Sequence, residues 1–168
     1  MSESSEVGTD ENARMNDARP VIDETDRHIL EVLAVEARIP NNALAERVGI
    51  APSTCLGRVR ALVERGVIRG FYSDIDPTAV GHSLQAIIAV RLQGNARDAI
   101  GSFAHQLAGM SAVRNVFFVA GAHDFLVHVA VQDTAELRTF VSVNLSGSPE
   151  VAFTETNLIF EHVHVQRL

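Results

Sequence analysis

Residues 43–65, Ala-Leu-Ala-Glu-Arg-Val-Gly-Ile-Ala-Pro-Ser-Thr-Cys-Leu-Gly-Arg-Val-Arg-Ala-Leu-Val-Glu-Arg, constrain the fold more than any other stretch, because two short helical patterns meet there at a corner. Leu44 and Val48 lie four apart and share a face. Gly49 supplies the permissive backbone of a tight turn between helices. Pro52 suits the first turn of the second helix, where its missing N–H breaks no bond. The pattern predicts a helix-turn-helix. On the second helix Cys55, Leu56, Val59, Leu62 and Val63 form one apolar stripe. Ser53, Thr54, Gly57, Arg58, Arg60, Ala61, Glu64 and Arg65 cover the other side.

That outer side is small and hydroxyl-bearing near its start, then arginine-rich. A helix of this shape fits a DNA major groove, with Ser53 and Thr54 near base edges and Arg58 and Arg60 near phosphate or guanine. Arg69 and Arg38 are further candidates for phosphate. The net charge of −7 argues against a general nucleic-acid coating protein. Locally the balance reverses: over residues 52–70, Arg58, Arg60, Arg65 and Arg69 face Glu64 alone. A moderate salt dependence of DNA binding follows. One helix binds loosely, so a dimer presenting two helices to a partly palindromic site on double-stranded DNA is the expected arrangement.

Residues 1–20 are polar and acidic and read as a disordered tail. A first helix is predicted from Asp23, where Asp23-Glu24-Thr25-Asp26 places an acceptor at the cap and acid in the first turn, to about Ala37. Pro40-Asn41-Asn42 breaks the chain and offers Asn41 as the next cap. Residues 21–66 thus form a DNA-binding unit. Residues 67–82, with Val67, Ile68, Phe71, Tyr72 and Ile75, read as a wing or linking strand.

Residues 83–168 follow the order strand, helix, strand, strand, helix, strand. Leu84 to Leu92 alternates as a strand should. Asn95 can cap a helix carrying Ile100, Phe103, Leu107 and Met110. Val113–Ala120 and Phe125–Val131 are strands joined by Gly121-Ala122-His123-Asp124. Asp133-Thr134-Ala135-Glu136 has the form of a capping box, with Leu137, Phe140, Val141 and Leu145 lining the helix behind it. A long final strand is predicted over Val151–Val165. The fold class is α+β: a winged helix-turn-helix followed by a βαββαβ ferredoxin-like sandwich. Ile87, Val116, Phe118 and Leu126 are expected on the sheet face that the helices leave bare, where a second copy's sheet is the economical cover.

With these motifs in order, the chain resembles the Lrp/AsnC (leucine-responsive, or feast/famine) family of transcription regulators. The resemblance rests on Ile-Asp-Glu-Thr-Asp-Arg-His-Ile-Leu at 22–30, Leu-Ala-Glu-Arg-Val-Gly-Ile-Ala-Pro-Ser-Thr-Cys at 44–55 and Arg-Val-Arg-Ala-Leu-Val-Glu-Arg-Gly-Val-Ile-Arg-Gly at 58–70. Val-Ala-Gly-Ala-His-Asp-Phe at 119–125 extends it into the second domain. It implies a ligand-sensing (RAM) domain, an amino-acid effector, and dimers that assemble into octamers as tetramers of dimers. Where the family carries Ser before the recognition-helix proline, this chain has Ala51, at a cost of about 1 kcal/mol in capping. Gly57 replaces a larger polar residue, and His123 replaces an aromatic one.

The loop at 121–124 is the candidate effector site. A free amino acid presents a carboxylate, which backbone N–H groups around Gly121 can take, and an ammonium, which suits Asp124. The resemblance places this loop between dimers, with Thr154 and Thr156 as the opposite wall and Ser142 where the effector side chain is read; His123 lies in the same loop.

The rival signals are weaker. His82, His105, His123, His128, His162 and His164 could serve a metal- or pH-responsive regulator, but no helical H-x-x-x-H spacing occurs and Cys55 is the single cysteine. A ferredoxin-like enzyme lacks a nucleophile–base pair, phosphate loop or carboxylate dyad. A ligand-binding assembly module without DNA specificity is the remaining alternative. No cofactor and no bound metal are implied. No apolar run is long enough to span a bilayer, so a cytoplasmic protein is expected.

Overall fold

The structure, a computed structural model, describes residues 21–163. The predicted acidic tail and His164 lie outside the described residues. Two compact units divide between Ser73 and Asp74.

The first unit contains α1 (Glu24–Val35), α2 (Asn41–Val48) and α3 (Pro52–Glu64). Asp23 caps α1 as expected, its carboxylate accepting the Asp26 N–H at 2.7 Å. Asn41 does not cap α2. Pro40 precedes the first turn, and Asn41 Nδ2 donates instead to the Pro52 carbonyl at 2.9 Å, tying α2 to the start of α3. Gly49 closes α2 with φ at +76°, a conformation that L side chains rarely adopt. Ala51 contributes no side-chain cap to α3.

Ile29, Leu44, Ala45, Cys55 and Leu62 form the buried centre of this unit. Leu56 and Val63, expected in the apolar stripe, are 40% and 45% exposed. So small a helical unit covers only the middle of the stripe. Val67 and Ile68 turn back onto it, both N–H groups donating to the Leu62 carbonyl. The predicted wing or linking strand pairs with no strand among the described residues; 69–76 is irregular backbone.

The second unit runs β1 (Leu84–Leu92), α4 (Ile100–Ala108), β2 (Val113–Phe118), β3 (Phe125–Val131), α5 (Thr134–Phe140) and β4 (Val151–Ile159). The strands form one antiparallel sheet in the order β2-β3-β1-β4, the arrangement a βαββαβ sandwich requires. Ala86, Ile88, Val90 and Leu92 of β1, and Phe125, Val127, Val129 and Val131 of β3, face Phe103, Leu107, Leu137, Phe140 and Leu145. This is the helix-covered face.

Some expectations fail here. Asn95 falls inside a 3-10 turn over Gly94–Ala99 that precedes α4, not at the residue before that helix. β4 ends at Ile159, short of Val165. Val116 and Phe118 point to the helix face, not the bare one: they pair with Val127 and Phe125, and the Phe118 and Phe125 rings lie 5.4 Å apart. A register break between Val113 and Asn115 shifts the alternation of β2 by one residue. The bare face carries Ile87, Ala89, Leu126 and Phe117 instead, with Ala89 opposite Leu126 and Leu126 opposite Phe117.

Candidate nucleic-acid interface and ligand site

The outer side of α3 begins with Ser53 and Thr54, continues through Gly57 to Arg60, and all are exposed. Their side chains make no hydrogen bond or ion pair with any described residue, which leaves them available to a ligand. A Cβ at Gly57 would meet nothing within 4 Å. Arg69 and Arg38 are exposed on other segments of the same unit.

Arg58 is placed differently from its neighbours. Its Nη1 donates to Asp23 Oδ2 at 2.6 Å and to Asp26 Oδ1 at 2.7 Å. The sequence reading set it on the free outer face; the structure commits it to the head of α1. Arg58 lies three residues after Cys55 and four before Leu62, so it borders the apolar stripe and its long side chain reaches across to α1. The Asp26 N–H, and after it the Arg58 guanidinium, hold the Asp23 carboxyl below its ordinary pKa. Both carboxylates raise that of Arg58.

In the second unit Gly121 has φ at +138°, a region that favours glycine. Beside it, the Asp124 N–H donates to the Val90 carbonyl at 2.9 Å and its carboxylate Oδ2 accepts the Leu92 N–H at 2.8 Å. Asp124 therefore anchors the loop to β1 with one oxygen and keeps the other. His123 leans over the bare side, stacked on Phe153 at 6.4 Å and 3.9 Å from Glu155, while Arg91 lies 5.8 Å from the Phe153 ring centre.

Thr154 and Thr156 pair with Val90 and Ile88, so they share the helix-side face of β4. Ser142 and Thr156 line one cavity of about 350 Å³ together with Leu137, Arg138, Val141 and Ser146. That volume falls within the range of small-molecule sites. Thr154 is next to it, 3.4 Å from Ser146. The nominated residues thus form two groups within a chain. Gly121, His123 and Asp124 gather at the loop; Ser142, Thr154 and Thr156 gather at the cavity. Leu137, Arg138 and Ser146 were not found from sequence, although Ser146 lies one helical turn beyond Ser142.

Among the described residues no three His, Cys, Asp or Glu side chains converge as a metal site. Arg114 donates to His82 Nδ1 at 2.6 Å, and His128 lies between Asn115 and Gln85. No helix in the described chain is long and apolar enough to cross a membrane.

Residues 22–69 match the family model described as winged helix-turn-helix DNA-binding, and residues 85–167 match that of the Lrp/AsnC ligand binding domain. The HTH-type transcriptional regulator AldR of Mycobacterium tuberculosis is 56% identical over 161 residues, which span 95% of this chain and 90% of that protein. A transcriptional regulator from Neisseria meningitidis, solved with L-methionine, superposes with a TM-score of 0.79 at 28% identity, covering 87% of this chain and 94% of the other. A feast or famine regulatory protein from M. tuberculosis, also complexed with L-methionine, gives 0.79 at 27% identity, covering 88% and 98%.

Proposed function

The chain belongs to the Lrp/AsnC family of DNA-binding transcriptional regulators, and on that premise we propose that it regulates amino-acid metabolism by binding promoter DNA under control of an amino-acid effector. The family consists of regulators rather than enzymes. The observation that carries the DNA half is the free outer side of α3, where Ser53, Thr54 and Arg60 are exposed without partners. Ser53 and Thr54 read base edges and Arg60 takes guanine or phosphate; Arg69 and Arg38 add phosphate contacts. Two copies related by a two-fold axis engage a partly palindromic site.

The effector half rests on the two separate groups in the ligand-binding domain and on the L-methionine held by two proteins of the same fold. The backbone at Gly121 takes the carboxylate, the free oxygen of Asp124 takes the ammonium, and His123 flanks the loop. Ser142, Thr154 and Thr156 of a neighbouring copy supply the other wall. A site completed between copies couples binding to assembly: an effector that fits one assembly state better than another shifts the population toward it. Dimers form by covering the bare face at Ile87, Leu126 and Phe117, and octamers as tetramers of dimers. The protein works in the cytoplasm, where its DNA is.

The experiment is a titration of single amino acids against assembly size, by light scattering, and against binding to the DNA flanking the protein's own gene. The reading requires one or a few amino acids to change both together. Assembly and DNA binding indifferent to all of them would refute the effector half.

A further inference from the structure

Arg58 stands among exposed arginines on the recognition helix, yet its environment is of another kind. Asp26 is 6% exposed and is the buried charged residue of the described chain. Its Oδ1 accepts from Arg58, and its Oδ2 lies 3.8 Å from Arg65 Nη1. Arg65 Nη2 in turn donates to the Val21 carbonyl at 2.6 Å, just ahead of α1. Asp23 accepts from Arg58 while capping α1 through the Asp26 N–H. Arg58 on α3 and Arg65 at its C-terminal cap, two turns apart, therefore grip the first turn of α1. Breaking a pair of this kind leaves a buried charge without its partner, so the grip holds firmly.

We propose that Arg58 is a positioning residue that does not touch DNA: clamped by Asp23 and Asp26, it fixes the rotation of α3 about its own axis, and thereby which side chains meet the base edges. The proposal rests on the DNA-binding reading above and assigns a regulator of that reading's geometry. A helix held by a few apolar contacts can roll, and a small roll moves Ser53 and Arg60 out of hydrogen-bond reach of a base. One guanidinium nitrogen, Nη1, donates to both carboxylates from a rigid planar group, an arrangement that the freely rotating ammonium of lysine holds less well.

The two roles predict opposite signs for one change. If Arg58 contacted phosphate, neutralising Asp26 would release it and remove a repelling charge, and DNA binding would tighten. As a positioning residue it needs that charge. The test uses the full chain with Asp26→Asn and measures binding to a fragment from beside its own gene and to an unrelated duplex of equal length, across a salt series. The expected result is a roughly tenfold or greater loss on the promoter fragment, comparable to one mismatched base pair. Affinity for the unrelated duplex and the slope of log K against log salt stay unchanged. A phosphate-contact residue would instead alter that slope by about 0.9. Because Asp26 is buried, Asp23→Asn provides a second arm: asparagine caps a helix as well as aspartate does, so the fold is kept while the charge is lost. Tighter promoter binding by either variant, or a salt slope that becomes shallower by about 0.9 when Arg58→Gln is added to Asp26→Asn, would overturn the proposal. Wild-type protein that prefers neither duplex would instead sink the underlying DNA reading, while Arg58→Lys would still report on the clamp through its melting temperature.

Discussion

The Asp124 carboxylate accepts the Leu92 N–H at 2.8 Å, where β1 slips out of register with β4 between Arg91 and Leu92. On the other edge of β1 the pairing with β3 ends at Val90 opposite Phe125, so the Leu92 N–H there has no strand partner and the Asp124 side chain supplies the acceptor. Asp124→Ala should therefore destabilise the domain by about 1.5–3 kcal/mol, the range for a hydrogen bond to a charged group. Urea denaturation measures it. Asp124→Asn keeps an acceptor oxygen and should retain most of that stability while losing the amino-acid response. An asparagine variant with a normal response would show that the charge of Asp124 is not used on the effector.

Gly57→Ala should raise stability by about 1 kcal/mol, because alanine is the better helix former and its Cβ meets nothing within 4 Å. Thermal unfolding checks the sign. A larger polar residue at the same place, such as Gly57→Asn, should change which promoter bases are preferred without harming the fold, since the position faces outward beside Ser53 and Thr54. Binding selection from a randomised duplex library reads that preference.

His128 should make the protein less stable in mild acid. Burial first, then the charges of His162 and Arg114, push its pKa below the ordinary 6.5. Asn115 donates to one ring nitrogen and Gln85 accepts from the other, an arrangement that suits the neutral ring. Over the interval between the lowered folded value and 6.5 the unfolded chain binds more protons, so stability falls as pH drops through it. His128→Gln should flatten the melting temperature over that interval. An equally steep profile in the variant would place the sensitive group elsewhere.

Ser142→Leu fills part of the cavity of about 350 Å³ beside Thr156 and Arg138. The side chain is exposed and the fold should tolerate it. Amino-acid affinity, measured by calorimetry, should fall at least tenfold, about 1.4 kcal/mol, while promoter binding without effector stays as in the wild type. Loss of both together would mean that the cavity wall shapes the assembly rather than the ligand.

Local chemistry was readable in the sequence at several positions, though not at Asn41 and Asn95, and distant pairing was not. Asp23 and Asp133 cap their helices, and Gly49 takes the turn, because each depends on a few adjacent residues. Asp133 accepts from the N–H groups of Ala135 and Glu136, while Glu136 reaches back to the N–H of Gln132. The ion pairs of Arg58 were not legible because a helical wheel gives a direction but not a partner 32 or 35 residues away. Val116 and Phe118 were set on the wrong sheet face because alternation alone cannot reveal a register break at Val113 and Asn115. Ser142 and Thr156 were chosen from a family resemblance and lie together at one cavity, but Leu137 and Arg138 read as ordinary helix positions.

The account depends most on the outer side of α3 meeting a DNA groove, and Arg60 tests this directly. The measurement is promoter affinity of Arg60→Ala against salt, in protein shown by melting and light scattering to fold and assemble normally. The account predicts a loss of roughly tenfold to a hundredfold, the value of one good base contact, or, for a phosphate contact, a slope of log K against log salt that is shallower by about 0.9. Wild-type affinity with a wild-type slope in that variant would contradict it.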